Sequence, residues 1–212
     1  MERFETEEQQ IEAIKRFWKE NGTVIILGAV LGLGGLWGWR YYNDSVISAK
    51  ESASQAYQTS LSSFAETEDI QALSAFVNDN SDTGYAALAA MIVAQQAVLE
   101  DDFETAKAQL SVAAKGKSEI ADVAKLRLAK VHVQLAEYEQ AISQLETVNA
   151  PAFADQVNEL KGDVLYAQGA YDEARAAYNL ALVELPGNQT IKMKLDNIAY
   201  ARTQAVSSNS EQ

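Results

Sequence analysis

The stretch GAYDEARAAYNLALVELPGN, residues 169–188, contains no plausible catalytic group, yet its small and large residues are regularly spaced. Two upstream segments, DFETAKAQLSVA (102–113) and EYEQAISQLETV (137–148), align without a gap to AYDEARAAYNLA (170–181). The steps between the three copies are 35 and 33 residues. Self-similarity at a period of about 34 residues indicates an array of helical repeats, in which each repeat is one supersecondary unit stacked on the next.

Bulky and small side chains alternate at the aligned positions. An aromatic residue opens each copy, an alanine follows, and a second bulky residue comes four positions later: Phe103, Tyr138 and Tyr171; Ala106, Ala141 and Ala174; Leu110, Leu145 and Tyr178. We predict repeats at 87–121, 122–154 and 155–188. Each is a pair of helices that can approach closely, because small residues of the first helices are expected to face the alanines of the second: Ala94, Ala129 and Gly162 against Ala106, Ala141 and Ala174. A fainter copy precedes them, since Ala72 and Phe76 lie 34 residues before Ala106 and Leu110.

Composition favours an all-α fold. The 212 residues include only two prolines and are rich in Ala, Leu, Gln and Glu. Gly169 suits a helix end, where a left-handed residue costs glycine little, and Pro186 marks the end of the last repeat. The chain has no cysteine, which excludes disulfides, zinc–thiolate sites and thiol catalysis.

An uncharged run of seventeen residues, TVIILGAVLGLGGLWGW (23–39), predicts a membrane anchor. With the next three residues it approaches the hydrocarbon thickness of about 30 Å, so we predict a transmembrane helix at 23–42. The alternatives are a buried globular helix and a cleaved signal peptide. The long acidic tail before the run, and the bulky aromatics at the place of a cleavage site, argue against a signal peptide.

Flanking charges predict the orientation of this anchor. Arg3, Lys15, Arg16 and Lys19 precede it, against Arg40 and Lys50 shortly after it. This excess on the N-terminal side favours a cytoplasmic N-terminus and an exported C-terminal domain.

Three glycines of the anchor, Gly28, Gly32 and Gly35, share one helix face. Such a face is typical of helix–helix docking, either with a second copy as a homodimer or with another membrane protein. The alternative is that glycine is simply common in transmembrane helices.

Charge constrains the partners of the exported domain. Residues 1–42 contain five basic and six acidic side chains, which leaves twelve basic and twenty-four acidic ones for residues 43–212, a net charge near −12. Nucleic acid and anionic lipid headgroups would be repelled by such a domain. It could favour basic or unfolded polypeptides, although an acidic surplus more often serves solubility.

We predict no active site, no cofactor and no metal site. The single histidine, His132, lies within a first helix and is expected to be a satisfied or groove-lining side chain. In EDDFE (100–104), Asp101 and Asp102 are expected to cap a helix, and the same logic applies to Asp172 and Glu173.

The predicted organisation has six parts. They are a cytoplasmic tail at 1–22 with an amphipathic helix, the anchor at 23–42, a linker helix and degenerate repeat at 43–86, three repeats within 87–188, a capping helix at 189–204, and a disordered tail at 205–212. In the capping helix, the apolar face of Ile191, Leu195 and Ile198 is expected to lie opposite Lys192, Lys194 and Asp196.

Residues 155–188 resemble a tetratricopeptide repeat, with small or large residues at that family's positions: Gly162, Tyr171, Ala174, Tyr178, Ala181 and Pro186. The order of features along the chain is similar to the YfgM family of bacterial inner-membrane proteins. This resemblance implies a single-pass protein with a cytoplasmic N-terminus and a periplasmic tetratricopeptide-like solenoid. It also implies three partners: the SecYEG translocon, the anchored periplasmic chaperone PpiD and exported polypeptides. An alternative role is regulatory, with the N-terminal tail linking envelope stress to a cytoplasmic response regulator.

The resemblance also implies a concave groove lined by residues of the first helices. Carrying the family's groove positions over repeat by repeat gives Leu88, Met91, Gln95 and Val98, then Leu126, Lys130 and Val133, then Glu159, Asp163 and Tyr166. This predicted groove changes from apolar to acidic along the array. It therefore departs from the basic grooves that clamp C-terminal carboxylates in some tetratricopeptide proteins.

Overall fold

The computed structural model describes residues 7–115 and 118–210. In these residues it contains nine α-helices, one short 3-10 turn and no strand, which confirms the all-α fold. The helices are α1 (Glu7–Thr67), α2 (Gln71–Asp79), α3 (Gly84–Leu99), α4 (Phe103–Ala113), α5 (Glu119–Gln134), α6 (Tyr138–Glu146), α7 (Ala154–Ala167), α8 (Tyr171–Glu184) and α9 (Gln189–Ser210). Contacts divide the chain into two compact units, Met1–Ser52 and Ala53–Gln212.

The first unit consists of the larger part of α1. This helix runs without interruption through the predicted tail, anchor and linker, so the separate short amphipathic helix that we expected is not formed. Nothing in the segment ends a helix, since it contains no proline, and the Asn21 amide donates to the Phe17 carbonyl at 3.1 Å within the helix. The predicted tail residues 1–6 lie outside the described part of the chain.

Among the described residues, α1 is the one helix that is long and apolar enough to cross a membrane. Its most apolar stretch has a mean hydropathy of 1.6 and is almost wholly exposed within the molecule. The aromatic side chains at the predicted interface are exposed as well, and the rings of Trp37 and Tyr41 stack at 6.2 Å. Gly28, Gly32 and Gly35 also face open space.

The second unit is built mainly from three helical hairpins, α3/α4, α5/α6 and α7/α8. They begin at Gly84, Glu119 and Ala154, so the first two repeat boundaries lie three residues before the predicted ones. Side-chain caps set these starts: the hydroxyl oxygens of Thr83 and Ser118 accept from the N–H groups of Ala86 and Ala121. The repeat boundaries were predicted from an alignment of the second helices, although the loop at 78–84 was expected to end in capping residues, as Thr83 confirms.

The same tight turn joins the two helices of every hairpin. Asp101, Ala136 and Gly169 adopt left-handed conformations, with φ values of 59°, 57° and 78°. The residue after each donates its N–H to a carbonyl five residues earlier, at 2.8 Å for Asp102 and 2.8 Å for Glu137. This pattern is the Schellman ending of a helix. The capping prediction is confirmed for Asp102, whose side chain accepts from the Thr105 N–H at 3.0 Å. It is wrong for Asp101, which is the left-handed turn residue itself.

A fourth turn of this type corrects the register of the faint repeat. Glu68 has a φ of 56° and lies 33 residues before Asp101, not 34. The equivalents of Ala106 and Leu110 are therefore Leu73 and Val77, both fully buried, instead of Ala72 and Phe76. Phe76 is buried too, where its ring contacts Tyr57 at 5.8 Å.

We expect Ala136→Gly to stabilise the protein by about 1 kcal/mol. A non-glycine residue in the left-handed region is strained by about 1–2 kcal/mol, part of which is offset by the greater freedom that glycine has in the unfolded chain. The measurement is the urea midpoint of the helical circular-dichroism signal of the full chain in detergent. Ala176→Gly, at an exposed position within α8, is the matched control and should be destabilising.

Small residues form much of the core of the second unit. The six that were predicted to permit close helix packing are all buried: Ala94, Ala106, Ala129, Ala141, Gly162 and Ala174. A Cβ atom placed on Gly162 would lie 2.5 Å from the Tyr178 ring, so this glycine makes room for the aromatic side chain.

The C-terminal helix α9 differs from its prediction in two respects. Ile191 and Ile198 are buried against α8 as expected, but Lys194 points to the repeat instead of solvent. The helix also continues to Ser210, beyond the predicted end at 204, because no glycine or proline stops it. Residues 205–210, which we predicted to belong to a disordered tail, continue α9 in the structure, and 211–212 lie outside the described residues.

A candidate binding cleft in the repeat domain

An open cleft of about 620 Å³ lies between the first and second hairpins. Helices α3 and α5 supply its two walls, and α4 with the preceding turn supplies its floor. The lining residues are Met91, Ala94, Gln95, Val98, Leu99, Asp101, Phe103, Leu110, Arg127, Lys130, Val131 and Gln134.

Each wall is one stripe of a helix. Met91, Ala94, Gln95 and Val98 on α3 follow the i, i+3, i+4, i+7 spacing, and so do Arg127, Lys130, Val131 and Gln134 on α5. The two walls differ in chemistry, because the α3 side is mostly apolar and the α5 side carries two cations. Apolar side chains also remain open to solvent at the rim, with Val98 39% and Leu99 72% exposed. A cleft of this composition can take an apolar side chain from another molecule.

Four of the ten predicted groove residues line this cleft: Met91, Gln95, Val98 and Lys130. Leu88 and Val133 are half-buried and lie outside the lining. Leu126 cannot line a groove, since it is 4% exposed and packs in a core cluster with Leu145 and Leu160. The stripe that α5 presents to α3 is displaced by one residue, or about 100°, from the one carried over from the family.

The predicted groove positions of the third hairpin are engaged by α9. Lys194 donates to Glu159 at 2.6 Å and to Asp163 at 2.8 Å, and Asp163 also accepts from the Tyr178 hydroxyl at 2.7 Å. Burial alone would lower the pKa of Lys194, but the hydrogen bonds that its ammonium donates to Asp163 and Glu159 outweigh burial, so the pKa is raised. Tyr166 stays partly exposed, with its ring 5.5 Å from that of Tyr171. Glu159 and Asp163 are therefore occupied by an internal ion pair, whereas the cleft described above lies between the first two hairpins.

Our sequence reasoning missed Arg127, the second cation of the α5 wall. Arg127 and Lys130 are both exposed, and neither forms an ion pair with any residue that the structure describes. By contrast, Lys107, Lys125 and Lys194 of the same domain are all paired with carboxylates. The sequence feature that could have identified Arg127 is the spacing of two cations, three residues apart on one helix of an acidic domain.

A polar network supports the turn between α5 and α6. His132 Nδ1 lies 2.6 Å from Glu137 Oε2, and Lys107 donates to Glu137 Oε1 at 2.9 Å. The Lys107 ammonium, followed by His132, lowers the pKa of Glu137. The expectation that His132 is a satisfied side chain is confirmed. Among the described residues, no cluster of three or more carboxylates and histidines is arranged to hold a metal ion.

A buried ion pair fixes α5 to the segment that leads into α7. Asp122 is 2% and Lys125 5% exposed, and their charged groups meet at 2.8 Å. Asp122 also accepts the N–H groups of Asn149 and Ala150, at 3.3 and 3.0 Å, while Lys125 donates to the Thr147 carbonyl at 2.9 Å. Burial alone would raise the pKa of Asp122. The hydrogen bonds from Lys125 and the two backbone groups together lower it by a larger amount, so the pKa is depressed.

Comparisons with known proteins agree with this architecture. Residues 15–200 match the family model described as a tetratricopeptide repeat-like domain. The chain is 36% identical to the ancillary SecYEG translocon subunit of Escherichia coli (strain K12), over 94% of this chain and 100% of that protein. It is 34% identical to the protein of the same name from Haemophilus influenzae, over 91% of this chain and 97% of that protein.

Proposed function

Because the chain belongs to the tetratricopeptide repeat-like family of ancillary SecYEG translocon subunits, the YfgM family, we propose that it is a membrane-anchored accessory of the translocon. In this role the repeat domain binds other proteins through the cleft between the first two hairpins. The observation that carries the proposal is this open, largely apolar cleft, in a chain that also contains a candidate membrane-spanning helix.

The physical advantage of this arrangement is proximity. An anchor in the same membrane raises the effective concentration of a weak binding surface around the channel, so modest affinity suffices. We propose that the clients are exported polypeptides and that an anchored periplasmic chaperone such as PpiD acts beside this protein. The glycine face of α1 is then a proposed contact for a second membrane helix.

The proposed role is that of a scaffold, without a chemical step. The cleft lining supports this, because it offers apolar, amide and cationic side chains with one carboxylate, Asp101, and contains no histidine or hydroxyl nucleophile. The binding residues that we propose are Met91, Gln95, Val98 and Lys130 from the sequence prediction, joined by Leu99 and Arg127.

Photo-crosslinking in intact cells tests the proposed surface. A photoreactive residue at Gln95 or Lys130 is expected to capture translocon subunits or a defined exported precursor, identified by mass spectrometry. The matched control is Ala108, an exposed residue of α4 outside the cleft. Stronger capture of the same proteins from position 108 than from the two cleft positions would contradict the proposal.

The proposed orientation places the N-terminus in the cytoplasm and the repeats in the periplasm of a Gram-negative cell. The chain has no cysteine, so a single introduced thiol reports its own location. We expect Glu139→Cys to react with a membrane-impermeant maleimide in cells with a permeabilised outer membrane. Gln10→Cys should react only after lysis. The opposite labelling pattern would invert the orientation.

A further inference from the structure

We infer that the cleft selects one kind of segment: an internal stretch of polypeptide in which a large apolar side chain is accompanied by a single acidic side chain. This inference rests on the proposed function and specifies its client. The apolar group would sit against Met91, Val98, Leu99 and Phe103. The carboxylate would lie between Arg127 and Lys130.

The unpaired cations carry the argument. Three lysines of the domain make close ion pairs, whereas Lys115, Lys161 and Lys192 form none with the described residues. What distinguishes Arg127 and Lys130 from these is their place on the cleft wall. Arg127 and Lys130 remain without a carboxylate partner among the described residues, although both lie on the cleft wall. Three residues apart on a helix, they share one face and can contact the same carboxylate.

The overall charge of the domain limits how acidic the segment can be. A net charge near −12 repels a strongly acidic tract before it reaches the cleft, and Asp101 adds a negative charge at the end of the lining. A segment with one carboxylate meets little long-range repulsion, since salt screens charges beyond about 8 Å. The local attraction by the two cations then determines how tightly the segment binds. Binding is thus expected to depend on the position of one acid, not on total charge.

An internal acidic side chain fits better than a terminal carboxylate. A chain that emerges from a channel exposes internal segments throughout its passage, whereas its C-terminus arrives last.

The test uses the full chain in nanodiscs of zwitterionic lipid and a labelled short peptide of Leu, Phe, Ser and Gly with blocked termini. Three versions of the peptide carry Glu, Gln or Lys at its centre, and fluorescence anisotropy gives each Kd. The Glu peptide is expected to bind about five- to tenfold more tightly than the Gln peptide, as for one charge-assisted contact. The Lys peptide should bind more weakly than both.

Charge reversal provides the sharper comparison. In the double variant Arg127→Glu and Lys130→Glu, the order of the three peptides is expected to reverse, with the Lys peptide bound most tightly. Lys192→Glu is the matched control, since Lys192 is an exposed cation on α9 outside the cleft. It should leave the original order intact. A reversal by Lys192→Glu as well would show a general field effect and overturn the inference.

Two further outcomes separate this inference from the proposed function. If the three peptides bind equally, and Leu99→Ser weakens all of them, the cleft binds apolar segments without selecting an acid. The inference then fails while the proposed function stands. If Leu99→Ser and the double charge reversal both leave binding of every peptide unchanged, the cleft is not the binding surface and both fail. A Gln peptide with a free C-terminus that matches the blocked Glu peptide would assign the site to terminal carboxylates instead.

Discussion

Replacing Asp122 by alanine is expected to lower the free energy of unfolding by about 3–5 kcal/mol. The substitution leaves the Lys125 ammonium, which is 5% exposed, without its carboxylate partner. It also removes the acceptor of the Asn149 and Ala150 N–H groups, which lie between α6 and α7. The urea midpoint of the helical signal, for the full chain in detergent, measures the loss.

Two variants show whether burial is the cause. Asp172→Ala removes an exposed carboxylate whose ion pair with Arg175 is long, at 3.4 Å, and should cost less than about 1 kcal/mol. Adding Lys125→Met to Asp122→Ala removes the stranded charge and is expected to restore part of the loss, because a buried apolar side chain needs no partner. Equal destabilisation by Asp122→Ala and Asp172→Ala would show that the buried pair has no special weight.

The effect of Asp122 also has a defined pH dependence. Its pKa in the folded protein lies below that of the unfolded chain, so the unfolded state takes up a proton first as pH falls. The stabilisation is complete above the unfolded pKa of about 3.9 and disappears as pH drops through the lower folded value. The difference between the parent protein and Asp122→Ala should therefore shrink in acid.

The repeat architecture was predictable because it depends on periodic packing. A step of about 34 residues between small and bulky positions identified three helical hairpins, and every predicted small position is buried. The helix boundaries were predicted less accurately, since an alignment of second helices contains no information on where the first helices start. The continuous α1 was missed for a similar reason, because a change of composition at residue 22 does not by itself end a helix.

The candidate site could be predicted only in part. Register carried from other repeats assumes that each first helix shows the same face, but α5 turns Leu126 into the core and Arg127 toward α3. The pairing of Lys194 with Glu159 and Asp163 could not be predicted either, since it joins residues 35 and 31 positions apart in the chain. No local pattern specifies such contacts. They depend on how α9 packs after the hairpins have formed.

Gly162→Ala is expected to destabilise the third hairpin by about 1–2 kcal/mol, even though alanine is the better helix former by about 1 kcal/mol. The new Cβ would lie 2.5 Å from the Tyr178 ring, which is too close for any carbon contact. The ring has little freedom to move, because its hydroxyl donates to Asp163 at 2.7 Å and its side chain is buried with Ile191 and Ile198. Faster hydrogen exchange in α9, together with a lower urea midpoint, would report the displaced ring.

The other repeats indicate the rescue and the control. Where the third repeat has Gly162 with Tyr178, the first has Ala94 with Leu110 and the second has Ala129 with Leu145, both pairs in well-packed clusters. The double variant Gly162→Ala and Tyr178→Leu recreates that pairing, so its loss of stability should be clearly smaller than the sum of the two single losses. Gly84→Ala, where a Cβ meets nothing within 4 Å, should be neutral or stabilising. Additive losses in the double variant would mean that the two positions do not share one packing constraint.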